Sequence, residues 1–132
     1  MNLPIFRRFQ IFRSIFHTRS HKQYLAYRET ARMLITDRVR HFNVHYDLPV
    51  RKIAIRNQKS RWGSCSKKGN LNFNYKLALM PAEIRDYIIV HEICHLKEFN
   101  HGRGFWNLVN ETVPTYKEMR KKLREIHKID LT

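Results

Sequence analysis

HEICHLKEFNH, residues 91–101, is the stretch whose reading decides the rest of this sequence. His91 and His95 stand four positions apart. On a helix that spacing brings both rings to one face, about 6 Å apart along the axis. Two imidazoles so placed can share one tetrahedral zinc ion. Glu92 adjoins the first histidine, where a carboxylate can reach a metal-held water and accept its proton. The motif is short: random ordering of eight His and seven Glu would produce it roughly 3% of the time. The plainer reading is a helix with solvated histidines, as His17, His21 and His127 are expected to be.

Context favours the metal. Pro81 opens the helix, and Glu83 and Asp86 lie in its early turns, where negative charge suits a helix N-terminus. Ile84, Tyr87, Ile88 and Ile93 supply an apolar side for core packing.

A catalytic zinc needs a third protein ligand and an open fourth position. His101 lies six residues past His95, so on an unbroken helix it would point about 120° away and stand about 9 Å along the axis. It qualifies only if the helix ends near residues 99–100. Asn100 tolerates the left-handed conformation that closes helices, and Gly102 frees the chain just beyond. Glu98 faces the same side as His91 but about 10 Å along the axis, too far to share its metal. It can serve only as a partner to a ligand. Glu111, on the next helix, is the alternative third ligand.

The chain around this motif divides simply. Residues 1–19 form a basic amphipathic segment in which Ile5, Phe9, Phe12 and Phe16 fall at helical spacing among arginines. Such a segment can cap the domain's own core, touch an anionic membrane surface along residues 1–16, or remain a tail. Residues 20–132 form a single domain. A long helix is expected from about residue 20 to 46, with Tyr24, Tyr27, Ala31, Leu34, Val39, Phe42 and Tyr46 as its apolar stripe. The Asp47-Leu48-Pro49 run ends it. Ile53 and Ile55 alternate with charged neighbours, the period of a half-buried strand. Residues 60–65 and 70–75 read as two further strands joined by a turn at Lys68-Gly69-Asn70. A short helix is expected around residues 105–111. Thr115 and Glu118 have capping-box spacing for a last helix with Tyr116, Met119, Leu123 and Ile126 as its buried stripe.

The chain is 132 residues long and carries a formal net charge of +15. Residues 1–61 hold 14 Lys/Arg against 3 Asp/Glu, a balance of +11, and residues 62–132 hold 12 against 8. A field of this size attracts nucleic acid, nucleotides or an anionic membrane. Two cysteines, Cys65 and Cys94, make no disulfide framework. No cleavable signal and no apolar run of about 18 residues are evident, so a cytoplasmic protein is expected.

Six blocks now stand in order: RWGSCS (61–66), NLNFN (70–74), P-x-E-x-x-x-Y-x-x-x-H-E-x-C-H-L (81–96), N-H (100–101), F-W (105–106) and V-P-x-Y (113–116). Together they resemble the YgjP-like metallopeptidase family and, more distantly, the SprT-like zincins. The likeness covers 51–126 strongly and 20–50 loosely. It implies an α+β, zincin-like fold: a small, antiparallel-rich sheet beside a long N-terminal helix and the HExxH helix, with a C-terminal helix. It also implies His91, His95 and His101 as ligands to one zinc ion per chain, with Glu92 as catalyst. Larger relatives carry additional β-structure before the long helix, where this chain has only its Phe-rich basic segment.

Further residues near the chemistry follow from the same blocks. Arg61, Trp62, Gly63 and Ser64 are candidate substrate contacts, because an exposed edge strand can pair with an extended polypeptide. Gly63 would permit a close backbone approach. Trp62 also reads as core and Arg61 as an ion-pair partner, while Phe105 and Trp106 read as packing under the site. Tyr116 or Arg61 could stabilise an oxyanion. Cys94 points away from the metal face and, like Cys65, reads as a small buried residue.

The leading functional expectation is a zinc-dependent metallopeptidase acting on polypeptide. A metal-dependent nucleotide pyrophosphohydrolase is the first alternative; histidine ligation and the lack of a Gly-rich phosphate loop count against it. An SprT-like, DNA-associated protease is the second. A non-catalytic zinc module would have no use for Glu92.

Overall fold

The computed structural model describes residues 21–130, so the expected amphipathic segment 1–19 lies outside the described residues. Helix α1 (His21–Tyr46) is the longest element. It buries Ala31, Ile35 and Val39, a row at four-residue spacing. The stripe differs from the expected one: Ile35 rather than Leu34 is fully enclosed, and Tyr27 is exposed. Both neighbours are apolar, so only the packing partner selects which of the two turns inward. Asp47 ends the helix with φ 48°, a left-handed residue. Asn43 locks this end by exchanging two hydrogen bonds with the main chain of Leu48.

Strands β1 (Lys52–Arg56), β2 (Gly63–Cys65) and β3 (Asn70–Asn74) form one sheet in the order β1-β3-β2. The sheet is mixed, not antiparallel-rich. β2 and β3 are an antiparallel hairpin, but the longer ladder, β1 with β3, is parallel. The reason is the hairpin itself. It places β2 beside one edge of β3, leaving β1 the far edge, and the short 57–62 connection makes β1 run opposite to β2 and so parallel to β3. Gly69 closes the hairpin with φ +92°, and a Cβ there would stand 2.6 Å from the Pro49 carbonyl oxygen. No other residue fits this turn without moving the Pro49 main chain.

Asn74 connects the sheet to the loop before β2. Its side-chain amide donates to the carbonyls of Gln58 and Arg61, and its oxygen caps the 3₁₀ turn Tyr75–Leu79. Helix α2 (Ala82–Cys94) then crosses the core with Ile84, Ile88, Ile89, Val90 and Ile93 buried. Arg38 of α1 grips Asp86 of α2 through two bonds of 3.0 and 2.9 Å. Bidentate geometry and partial burial make this pair worth about 1 kcal/mol. Helix α3 (Arg103–Thr112) and helix α4 (Tyr116–Asp130) complete the domain. α4 buries Met119 and Ile126 in the common core. Tyr46 ties α1 to α3, donating to the Leu108 carbonyl at 2.6 Å and meeting the Thr112 hydroxyl. Among the described residues no helix is long and apolar enough to cross a membrane.

Candidate metal centre

The helix that carries His91 ends earlier than the pattern suggests. Its last helical residue is Cys94, and His95 is the cap, with φ −65° and ψ −16°. The following amides of Leu96 and Lys97 bond three residues back, to Ile93 and Cys94, which tightens the chain into a turn. Asn100 takes no left-handed conformation, and neither does Gly102. What turns the chain is a side chain: His95 Nδ1 lies 3.0 Å from the Glu98 carbonyl oxygen. Glu98 therefore partners His95 through its main chain. Its carboxylate instead lies over the first turn of α3, where a Cβ on Gly104 would stand 2.8 Å from Glu98 Oε1. A negative group suits that helix N-terminus.

This early turn swings His101 back toward α2. The Nε2 atoms of His91, His95 and His101 lie 2.9 to 3.2 Å from one another. Three nitrogens on a tetrahedral metal at ordinary bond lengths stand about 3.3 Å apart. The triangle therefore fits a metal ion with little adjustment. Second contacts suit the ligating tautomer in two of the rings. With the proton on Nδ1, His95 donates to Glu98 and His91 faces the Tyr87 hydroxyl at 3.4 Å. Both arrangements leave Nε2 as a lone pair. The fully buried Phe105 ring contacts all three imidazoles, at centroid distances of 4.4 to 5.0 Å. It forms an apolar floor beneath the cluster.

Burial favours the neutral, ligating form of His91 and His95. Burial drives the His91 pKa down to about 3, helped by the positive charges of His95, His101 and Arg120. Burial also lowers His95, opposed by its bond to the Glu98 carbonyl. Glu92, only 7% exposed, has its pKa pushed up to about 7 by burial, while Arg61 pulls the other way. A carboxyl near neutrality can both take and return a proton.

Gly63 of β2 lies directly against Glu92: a Cβ there would be 3.0 Å from Glu92 Cγ and 3.2 Å from Oε2. Ser64, next on the strand, accepts a bond from the Asn72 amide. Trp62 is buried in the core and Arg61 is exposed. Tyr116 stacks on Trp106 at 5.0 Å and 15°, and Trp106 stacks in turn on His101. Trp106 is only partly buried and donates its indole N–H to the His101 carbonyl. Glu111 stands apart from the cluster, 3.3 Å from His45 of α1. Cys94 is buried, and burial raises its thiol to about 12, while burial raises Cys65 to about 11. Among the described residues, the three histidines are the group placed to hold a metal.

Two residues were not singled out from sequence. Tyr87 read only as core, although its position four before His91 would have placed it against that ring. Arg120, over Trp106, carries no such local signal; it arrives through the packing of α4.

Two basic cavities lie elsewhere. One, of about 420 Å³, runs between α1 and β1 and is lined by Arg32, Arg40, Arg51 and Lys52 among others. A smaller one of about 180 Å³ adjoins it at Val50 and Arg51. Neither is lined by the three histidines or Glu92.

No match was found among curated protein sequences. The crystal structure of the metallopeptidase zymogen of Pyrococcus abyssi abylysin is similar, with a TM-score of 0.61 and 28% identity. The likeness covers 67% of this chain and 90% of that one. The model of the YgjP-like metallopeptidase domain matches residues 17–126. With the histidine cluster held by the helix, turn and aromatic floor described above, this chain belongs to the YgjP-like metallopeptidase family.

Proposed function

We propose that this metallopeptidase is a zinc enzyme of the HExxH type, with one ion per chain, that hydrolyses peptide bonds in extended polypeptide. The observation that carries the reading is the meeting of three Nε2 atoms within 3.2 Å of one another, at the end of the helix that also bears Glu92, whose pKa is pushed up to about 7. Zinc, when bound by His91, His95 and His101, supplies Lewis acidity and lowers the pKa of a water to about 7. Glu92 is the general base: it accepts the proton of the attacking water and returns it to the leaving amine. Tyr87 and the Glu98 carbonyl hold two of the rings in the ligating tautomer. Phe105 keeps water out from below.

Among the described residues β2 is an outer strand of the sheet, so that edge can pair with an extended substrate. Gly63 and Ser64 would make those contacts through the main chain, with Arg61 and Tyr116 at the rim. Trp62, being buried, would contribute by its backbone alone. The basic cavity between α1 and β1, and the smaller one beside the hairpin turn, are where nucleic acid or a nucleotide would dock. Their separation from the histidines argues against a nucleotide as the hydrolysed substrate.

The test is to assay casein and nucleoside triphosphates with the wild type and Glu92→Gln, alongside metal analysis. About one zinc per chain and Glu92-dependent cleavage of casein alone are expected. Triphosphate hydrolysis that Glu92→Gln abolishes, with casein left intact, would overturn the peptidase reading.

A further inference from the structure

Arg120 stands with its guanidinium carbon 4.3 Å over the Trp106 ring. That ring lies 5.9 Å from His101 and 6.1 Å from His91. Arg120 therefore occupies the α4 flank of the histidine cluster, one aromatic ring away from it. Arg124 follows one turn later on the same side of α4. The positive charge of Arg120 acts on His91 and Tyr87, and that of Arg124 also acts on Tyr87. Both side chains are exposed.

Neither arginine pairs with a carboxylate among the described residues. Other acids are engaged elsewhere: Glu118 with Lys122 at 3.4 Å, Glu98 over the first turn of α3, and Glu111 with His45. A guanidinium stacked on an indole is held in place while its in-plane N–H donors stay free. Those donors match a carboxylate in a two-pronged bond. The charge of Arg61 also reaches Glu92. Glu92, buried, is no competitor for either rim arginine. The surroundings of the centre thus carry positive charge from Arg120 and Arg61, in a chain whose net charge is already +15.

We infer that Arg120, backed by Arg124, is a specificity-determining subsite for a substrate carboxylate, so that the enzyme selects polypeptide segments with Asp or Glu close to the scissile bond. This rests on the peptidase reading above. An arginine that only braced Trp106 would leave the choice of cleavage site unchanged, and that difference makes the inference testable.

The experiment digests a proteome-derived peptide library with the zinc-loaded full-length protein and reads the cleavage positions by mass spectrometry. Wild type is expected to show Asp and Glu enriched at one position beside the scissile bond, on the order of tenfold over Lys. Arg120→Gln, which removes the charge and the guanidinium but leaves a polar side chain, should flatten that position. Arg120→Glu should invert it toward Lys and Arg. If either Arg120 variant fails to fold or to hold zinc, Arg124→Glu supplies the same readout with a smaller change. An unchanged profile in folded, zinc-bound variants, or a wild-type profile with no acidic preference, would overturn the inference alone. A library cleaved equally well by Glu92→Gln would overturn the peptidase reading, and the inference with it.

Discussion

Gly63 and Glu92 touch: strand β2 passes so close to helix α2 that a single added carbon on Gly63 would crowd Glu92 Cγ at 3.0 Å and the Asn72 carbonyl oxygen at 3.0 Å. The contact gives the RWGS block a meaning its composition does not state. The glycine makes room for the enzyme's own carboxylate as well as for anything lying along the strand. Gly63→Ala should therefore displace Glu92, because the Asn72 oxygen is backbone and cannot yield. A loss of activity on the order of tenfold or more is expected, with a stability cost of about 1–3 kcal/mol and zinc content unchanged. Steady-state assays beside thermal melts would check it; full activity in the folded variant would refute the placement.

Glu92 makes the metal-free protein less stable near neutrality. Its folded pKa, about 7, lies above the ordinary value of 4.5. A raised carboxyl contributes its full stability below the unfolded value and loses it as pH rises through the folded one. Stability of the metal-free chain should thus fall between pH 4.5 and 7. Glu92→Gln removes that loss and should be more stable at pH 8, by up to about 3 kcal/mol, while inactive once zinc is restored. Urea denaturation of chelated protein at pH 5 and pH 8 measures it. Equal stability of the two proteins at pH 8 would contradict the assigned environment.

How much of this was legible in the sequence depends on how local each feature is. His91, Glu92 and His95 lie within one turn, so helical geometry alone placed them. Pro81, Thr115 and the Asp47-Leu48-Pro49 run mark element ends through local chain chemistry. The return of His101 was legible only as a condition, and its cause was different. A bond from the His95 ring to the Glu98 carbonyl turns the chain, not a left-handed Asn100, and no residue pattern announces such a bond. The parallel pairing of β1 with β3 and the arrival of Arg120 at the cluster depend on contacts between distant segments. Periodicity has no access to those. The Ile35-for-Leu34 exchange in α1 has the same origin.

The third ligand can be settled by a pair of variants. His101 closes the nitrogen triangle, whereas Glu111 is engaged with His45 at 3.3 Å. His101→Ala should lower zinc affinity by at least tenfold, since the open cluster keeps only two ligands. Glu111→Ala should leave affinity unchanged and cost under about 1 kcal/mol of stability, because its histidine pair is exposed. Competition with a chromogenic chelator gives both affinities. Zinc retained by His101→Ala and lost by Glu111→Ala would reverse the assignment.

Acid should unfold the metal-free protein through His91. Its folded pKa, about 3, lies below the ordinary 6.5. Between those values the unfolded chain binds a proton that the folded chain refuses, so stability is present above pH 6.5 and drains as pH falls toward 3. The fall runs opposite to the Glu92 effect, and the two overlap between pH 4.5 and 6.5. Glu92→Gln isolates the histidine limb. In that background, His91→Asn should flatten the decline, because an amide has no proton to gain. The folded chain holds His91 unprotonated until pH nears 3, so any loss of zinc over the same interval should track unfolding. Denaturation midpoints from pH 4 to 8, taken on chelated protein, test the prediction. An acid limb as steep in the double variant as in Glu92→Gln would show that some other group carries it.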